Sequence, residues 1–165
     1  MLRQTLEKSR VGESRVESIL WQILEVLHFI NIFSNQTNIQ MILKLAHTKL
    51  DIFKISKQVV LSIYKLTQKF PNEEKFAMTS QIRRAVTSVH LNIAEGSARK
   101  TAKEKCRFYE ISRSSLVEVD TILDLAFDLQ FIDNEDVKAL EDNIVRCFQM
   151  LSGMIDYNSK IANEK

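Results

Sequence analysis

From Lys49 to Met154, apolar side chains return every three or four residues, and almost nothing in the chain interrupts them. The whole sequence holds one proline and three glycines. So few breakers favour long helices joined by short connections. Nothing alternates with the two-residue period of a strand, and no repeat of the length used by solenoid proteins stands out. At 165 residues the chain is sized for one domain with a real core.

The first periodic segment is read as Leu50–Phe70. One apolar stripe runs through Ile52, Val59, Ile63, Leu66 and Phe70, a second through Leu50, Phe53, Val60 and Tyr64. Two stripes make a face wider than one neighbouring helix needs, and Pro71 ends it. Asn72-Glu-Glu then forms a turn or short helical piece. The second helix is read over Thr79–Glu95, with a core stripe of Ile82, Val86, Val89 and Ile93. Ala85 and Ser88 beside it are small enough for close approach. Gly96 is expected just past the helix end, where positive φ is wanted.

Thr101-Ala-Lys-Glu104 is a capping-box pattern opening the third helix. That helix carries Tyr109, Ser112, Leu116, Val119, Leu123 and Ala126 on one face and ends near Gln130. Either Asp133 or Asn134 caps the fourth, and Glu135 and Asp136 in its first turn suit the helix dipole. Its Val137, Leu140, Ile144, Cys147, Leu151 and Met154 repeat at 3, 4, 3, 4, 3 spacing, which packs helices at a shallow angle. The expected fold is all-α, an antiparallel up-down-up-down four-helix bundle over residues 47–165.

Residues 1–46 read as an N-terminal extension. Ile19–Phe33 is densely apolar, but it is short for a membrane span and contains Gln22, Glu25, His28 and Asn31. It has no cleavage site of the kind a signal peptide needs. A short amphipathic helix is one reading. The favoured one is a start misassigned ahead of Met41, or a poorly ordered extension.

Charge is unevenly divided. Lys44 to Arg113 holds 15 Lys or Arg against 6 Asp or Glu, and Ser114 to Lys165 holds 4 against 11. Such a split calls for a partner for one half, or for neutralisation where the two halves lie side by side. Cys106 and Cys147 have no paired spacing and read as reduced thiols of a cytoplasmic protein, packed as small hydrophobes.

Catalysis and cofactor binding find no support. A di-iron bundle needs two Glu-x-x-His motifs; the chain has one, Glu25-Val-Leu-His28, inside the extension. His47 and His90 lack acidic neighbours at helical spacing, so no metal site is assigned. Asp120, Asp124 and Asp128 make an acidic line open to weak binding of a divalent cation, though it better suits a solvated face or a docking strip for basic groups. Cys106 has no nearby His to serve as base, and no phosphate loop or nucleotide fingerprint is present. The reading is a non-enzyme without cofactor.

The basic residues are more informative. Arg99, Lys100, Lys103, Lys105 and Arg107 crowd around the loop into the third helix, with Arg83 and Arg84 one helix earlier and Lys54, Lys57 and Lys65 on the first. Clustered cations at a helix N-terminus suit phosphate, with Phe108 available to stack on a base and Tyr109 assigned to the core. A solvated basic face is the plain alternative.

Thr79-Ser-Gln-Ile-Arg-Arg-Ala-Val86 and Asn92-Ile-Ala-Glu-Gly96, with Leu50-Asp-Ile-Phe-Lys54 and Lys69-Phe-Pro-Asn-Glu-Glu74, resemble the "four helix bundle protein" family. Its members are encoded within intervening sequences of large-subunit ribosomal RNA genes and are related to the accessory variability determinant of diversity-generating retroelements. The resemblance covers about His47 to Tyr157. It implies a four-helix protomer in a homopentamer, and for the retroelement branch it implies binding of nucleic acid and of a reverse transcriptase. Asn92, Glu95 and Gly96 match the family motif and are assigned structural roles, Glu95 pairing with an Arg to fix either the end of the second helix or a subunit contact. The family's usual Ser-Ile-Pro-Ala-Asn is Ser88-Val-His-Leu-Asn92 here, which removes a kink-inducing proline and introduces His90.

The functional expectation is a non-enzymatic, homo-oligomeric scaffold that binds RNA or DNA through Arg83, Arg84, Arg99, Lys100, Lys103, Lys105 and Arg107, with no membrane partner. The alternative is a protein–protein adaptor that binds no nucleic acid.

Overall fold

The structure, a computed structural model, describes residues 42, 43 and 45–164; the readings made for residues 1–41 lie outside the described residues. Four α-helices follow one another: α1 (Asp51–Leu66), α2 (Met78–Ala98), α3 (Ala102–Asp128) and α4 (Asn134–Asn163), with short 3-10 turns at Ala46–Lys49 and Asn72–Phe76. No strand occurs among the described residues. Each helix packs on its sequence neighbours, and α1 closes the square against α4. None of the described helices is long and apolar enough to cross a membrane.

Local chemistry sets each boundary. α1 stops at Leu66, a turn earlier than Pro71 alone would require. Thr67 leaves the helix with its hydroxyl donating to the Tyr64 carbonyl (3.1 Å) and accepting from Arg83 Nε (2.8 Å). α2 passes unbroken through His90 and Asn92 and continues to Ala98. Gly96 therefore lies inside the helix with an ordinary negative φ, not beyond its end as its residue type suggested. Its role is close approach: a Cβ there would sit 2.6 Å from Tyr109 Cε1 and 3.1 Å from Phe108 Cβ.

The capping box at α3 is formed as read, with Thr101 Oγ1 accepting from the Glu104 N–H and the Glu104 carboxylate from the Thr101 N–H. α3 ends in a Schellman arrangement. The Phe131 N–H donates to the Ala126 carbonyl and the Gln130 N–H to the Phe127 carbonyl, both at 2.9 Å. Gln130 takes the left-handed seat at φ 60° that glycine usually fills. Asp133 caps α4, accepting from the Glu135 and Asp136 N–H groups at 2.9 and 3.0 Å.

The core is largely the stripes read from periodicity, joined by Ile55, Ile122, Ile132 and Ile155, while Val137, Ile144 and Met154 are only partly buried. Val59, Ile63, Ile82, Val86, Val89, Ile93, Val119, Cys147 and Leu151 are all fully sealed from water, each burial favouring the fold by roughly 1.5–3 kcal/mol for the larger aliphatic side chains. The second stripe of α1 is mostly used within the protomer. Phe53 is buried between His47 (ring centroids 4.8 Å, edge-on) and His90 (4.2 Å, stacked), while Tyr64 stays on the surface.

The α2–α3 seam is polar and narrow. Ser112 Oγ donates to the Val89 carbonyl (2.8 Å), and the Ser88 and Ser115 hydroxyls meet at 2.9 Å. Asn92 donates to the Ser88 carbonyl and hydroxyl one turn back. Small side chains let the two backbones draw together, and every hydroxyl that this buries keeps a partner.

Candidate nucleic-acid interface

Antiparallel packing brings the start of α1, the end of α2, the start of α3 and the end of α4 to one end of the bundle. Contacts of the Cys106 thiol with the Ile155 carbonyl (3.5 Å) and Ser159 Oγ (3.4 Å) place the last two of these together. The α2–α3 connection, Arg99 to Thr101, caps this end and carries the densest group of cations.

The seven basic residues singled out from sequence do not form one patch. Arg84 and Arg99 are fifteen positions apart on one helix and its cap, which is roughly 22 Å along the axis. Arg83 is held on the α1–α2 face, its Nε donating to Thr67 and its guanidinium 5.0 Å from the Tyr64 ring centroid. Arg84, the next residue, is exposed.

At the other site, Arg99 is also committed. It pairs with Glu95 one turn back in α2 and lies over the Phe108 ring at 4.5 Å. Of the two roles read for Glu95, that pair is the one at the helix end, and it leaves Arg99 and Phe108 stacked on each other instead of open to a base. Lys100, Lys103 and Arg107 are exposed and Lys105 is half-buried. Among the described residues none of these four makes an ion pair.

The helix N-terminus is partly closed by its own capping box, which fills the Thr101 and Glu104 N–H groups. Glu104 occupies it, its carboxylate accepting from the Thr101 hydroxyl and N–H, and these bonds hold its pKa below the ordinary value, aided by Arg99 and Lys100. A phosphate at this end would meet the side-chain cations with the Glu104 carboxylate already in place beside them.

The opposite charge is equally concentrated. Asp120, Asp124 and Glu141 rim a groove of about 530 Å³ between α3 and α4, whose floor includes Leu123, Val137, Leu140 and Ile144. Only one ion pair among the described residues joins the basic half of the chain to the acidic half: Lys69 Nζ with both Asp136 oxygens at 2.7 Å. The two halves therefore leave most of each other's charge unanswered within a protomer. Sequence reading noted the acidic line but not the apolar floor beneath it, because that floor is completed by α4.

Among the described residues no three His, Cys, Asp or Glu side chains gather as metal donors. Cys106 and Cys147 are both buried, and burial pushes the Cys147 thiol up to about 12.

With the four-helix architecture and its polar α2–α3 seam in view, the comparison with known proteins is direct. The 23S rRNA-intervening sequence protein family matches residues 48–153, which spans all but the end of the bundle. The chain belongs to this family. Among solved structures it is similar to a protein of unknown function from the S23 ribosomal protein family of Bacteroides thetaiotaomicron. That likeness has 23% identity and a TM-score of 0.59, covering 63% of this chain and 97% of the other. At that identity it speaks for the fold. None of the curated proteins matches the chain.

Within the family motif, the residues now have physical roles. Asn92 orients Ser88 toward Ser115, Gly96 admits Tyr109, and Glu95 anchors Arg99. All three act on the α2–α3 seam and its closing turn.

Proposed function

We propose that this family member is a non-enzymatic, self-associating helical scaffold that contacts RNA through the α2–α3 end of the bundle. One observation carries the reading: Lys100 in the α2–α3 turn and Lys103, Lys105 and Arg107 in the opening turns of α3 have no ion-pair partners among the described residues. Uncommitted cations on a fixed frame attract phosphate, and repeating the frame around an oligomer multiplies a weak contact. Membership of a family named for ribosomal RNA intervening sequences supports RNA over other polyanions.

The reading is tested by filter binding of single-stranded RNA, duplex RNA and duplex DNA across a salt series. Phosphate contact gives a logarithmic affinity that falls with the logarithm of salt by about 0.7 per phosphate neutralised on single strands. Absence of binding to all three at low salt would end the proposal.

A further inference from the structure

Both histidines among the described residues meet on one aromatic ring. The chain enters the bundle through the 3-10 turn Ala46–Lys49, and His47 of that turn is only 6% exposed. Its ring stands edge-on to Phe53 of α1, while His90 of α2 stacks on the same ring. Phe53 is therefore the piece that the turn and α2 share. The hydrogen bonds of the turn are local, from the Thr48 N–H and hydroxyl to the Leu45 carbonyl and from the Leu50 N–H to the His47 carbonyl. Packing, with His47 at its centre, is what seats the turn against α1 and α2.

The site is built for neutral imidazoles. Ser56, fully buried, donates its hydroxyl proton to the Phe53 carbonyl (3.1 Å), so His90 Nδ1 donates in the 2.8 Å bond to Ser56 Oγ. Nε2 is then the nitrogen left to take up a proton. On His47, Nε2 is buried without a partner. A neutral ring can keep that nitrogen unprotonated, but the cation would bury an N–H with nothing to accept it. No carboxylate compensates. Burial first, then Lys57 one turn past Phe53 and His47 itself, hold the His90 pKa below 6.5. Every charge that acts on His90 is basic, and neither α3 nor α4 contributes one. Lys49, in the turn, is a further base, and Asp51 at the start of α1 is engaged by Lys54 at 3.0 Å.

We infer that the Ala46–Lys49 turn is a proton-operated latch: protonation of His90 and His47 lifts the turn off Phe53 while the four helices stay folded. With the turn away, both nitrogens of each imidazolium reach water, and the Phe53 ring loses its cover. The linkage has one sign. His90 takes up its proton more readily with the turn away than with it seated. The seated form is therefore favoured above pH 6.5 and loses ground below it, by about tenfold per pH unit for each proton bound, until His90 protonates in place.

The test follows amide hydrogen exchange of the full-length protein by mass spectrometry at pH 7.5 and 5.5, with exchange times scaled for the intrinsic effect of pH. Peptides spanning 45–50 should lose protection by about tenfold at pH 5.5, while peptides spanning 82–93 in α2 stay slow to exchange. The variant His47→Phe/His90→Phe keeps rings on both sides of Phe53 and leaves Ser56 bonded to the Phe53 carbonyl. Its turn should be equally protected at both pH values. Parent protection of the turn that does not change with pH would overturn the latch. So would α2 peptides that exchange as completely as the turn at pH 5.5, since that is unfolding of the bundle, and so would a variant whose turn still opens in acid. If the double variant loses helicity by circular dichroism, His90→Gln takes its place; its turn should lose less protection than the parent's, and an equal loss would overturn the role of His90.

Discussion

Replacing Gly96 with alanine tests the close α2–α3 crossing on which the whole turn depends. The added methyl would lie 2.6 Å from Tyr109 Cε1, 2.9 Å from Cδ1 and 3.1 Å from Phe108 Cβ. Tyr109 is only 3% exposed, so its ring has no empty space to enter. Helix propensity alone favours alanine by about 0.5–1 kcal/mol at a mid-helix position. Overpacking a filled site costs about 1–3 kcal/mol, so the net expectation is a loss of up to about 2.5 kcal/mol. Gly153 supplies the internal control. It is exposed within α4, and a Cβ there meets nothing within 4 Å. Gly153→Ala should therefore gain about 0.5–1 kcal/mol from propensity alone. Both are read from urea unfolding midpoints at one protein concentration, with the slope checked for constancy. A double-mutant cycle with Tyr109→Leu should show coupling, since trimming the ring removes the obstacle. Gly96→Ala as stabilising as Gly153→Ala would refute the steric argument.

Gln130→Gly should stabilise by up to about 1 kcal/mol, because φ 60° costs a side-chain-bearing residue what glycine does not incur; thermal unfolding measures it. The His90 pKa is held below its ordinary value of 6.5 by burial first, then by Lys57 and His47. A depressed basic group lends stability above its unfolded pKa that declines as the pH falls below it. Urea midpoints should thus drop between pH 7.5 and 5, and His90→Gln should flatten that slope. Glu104 and Asp136, whose pKa values are also lowered, hold their contribution across that range and lose it only at more acid pH. The Cys147 thiol, sealed in the core and raised to about 12, should resist alkylation in the native protein and react on unfolding; prompt native labelling monitored by mass would contradict its burial.

The elements most legible in the sequence were those whose signals are local. The Thr101–Glu104 and Asp133 caps need only a few adjacent residues, and the α4 seam declares itself by spacing. Gly96 was misplaced because its reason lies on another helix: a glycine near a helix end and a glycine under a tyrosine ring look alike in one dimension. Pro71 marked the end of α1 only loosely, since Thr67 finds its partner in Arg83, sixteen residues on. The basic cluster shows the clearest limit. The same Thr101 and Glu104 that announced the cap also place a carboxylate at the helix N-terminus, beside which a phosphate would have to sit. Arg99 was counted with the free cations, although Glu95 stood one turn behind it and Phe108 packed beneath it.

Phosphate contact at the α2–α3 end is most directly tested by comparing RNA affinity of the parent with that of Lys100→Ala/Lys103→Ala/Arg107→Ala, after both are shown to have the same oligomeric state. Three lost phosphate contacts should weaken low-salt binding at least about tenfold and flatten the logarithmic salt dependence by about 2 per contacting protomer. Unchanged affinity and slope would place any RNA contact elsewhere and contradict the assignment.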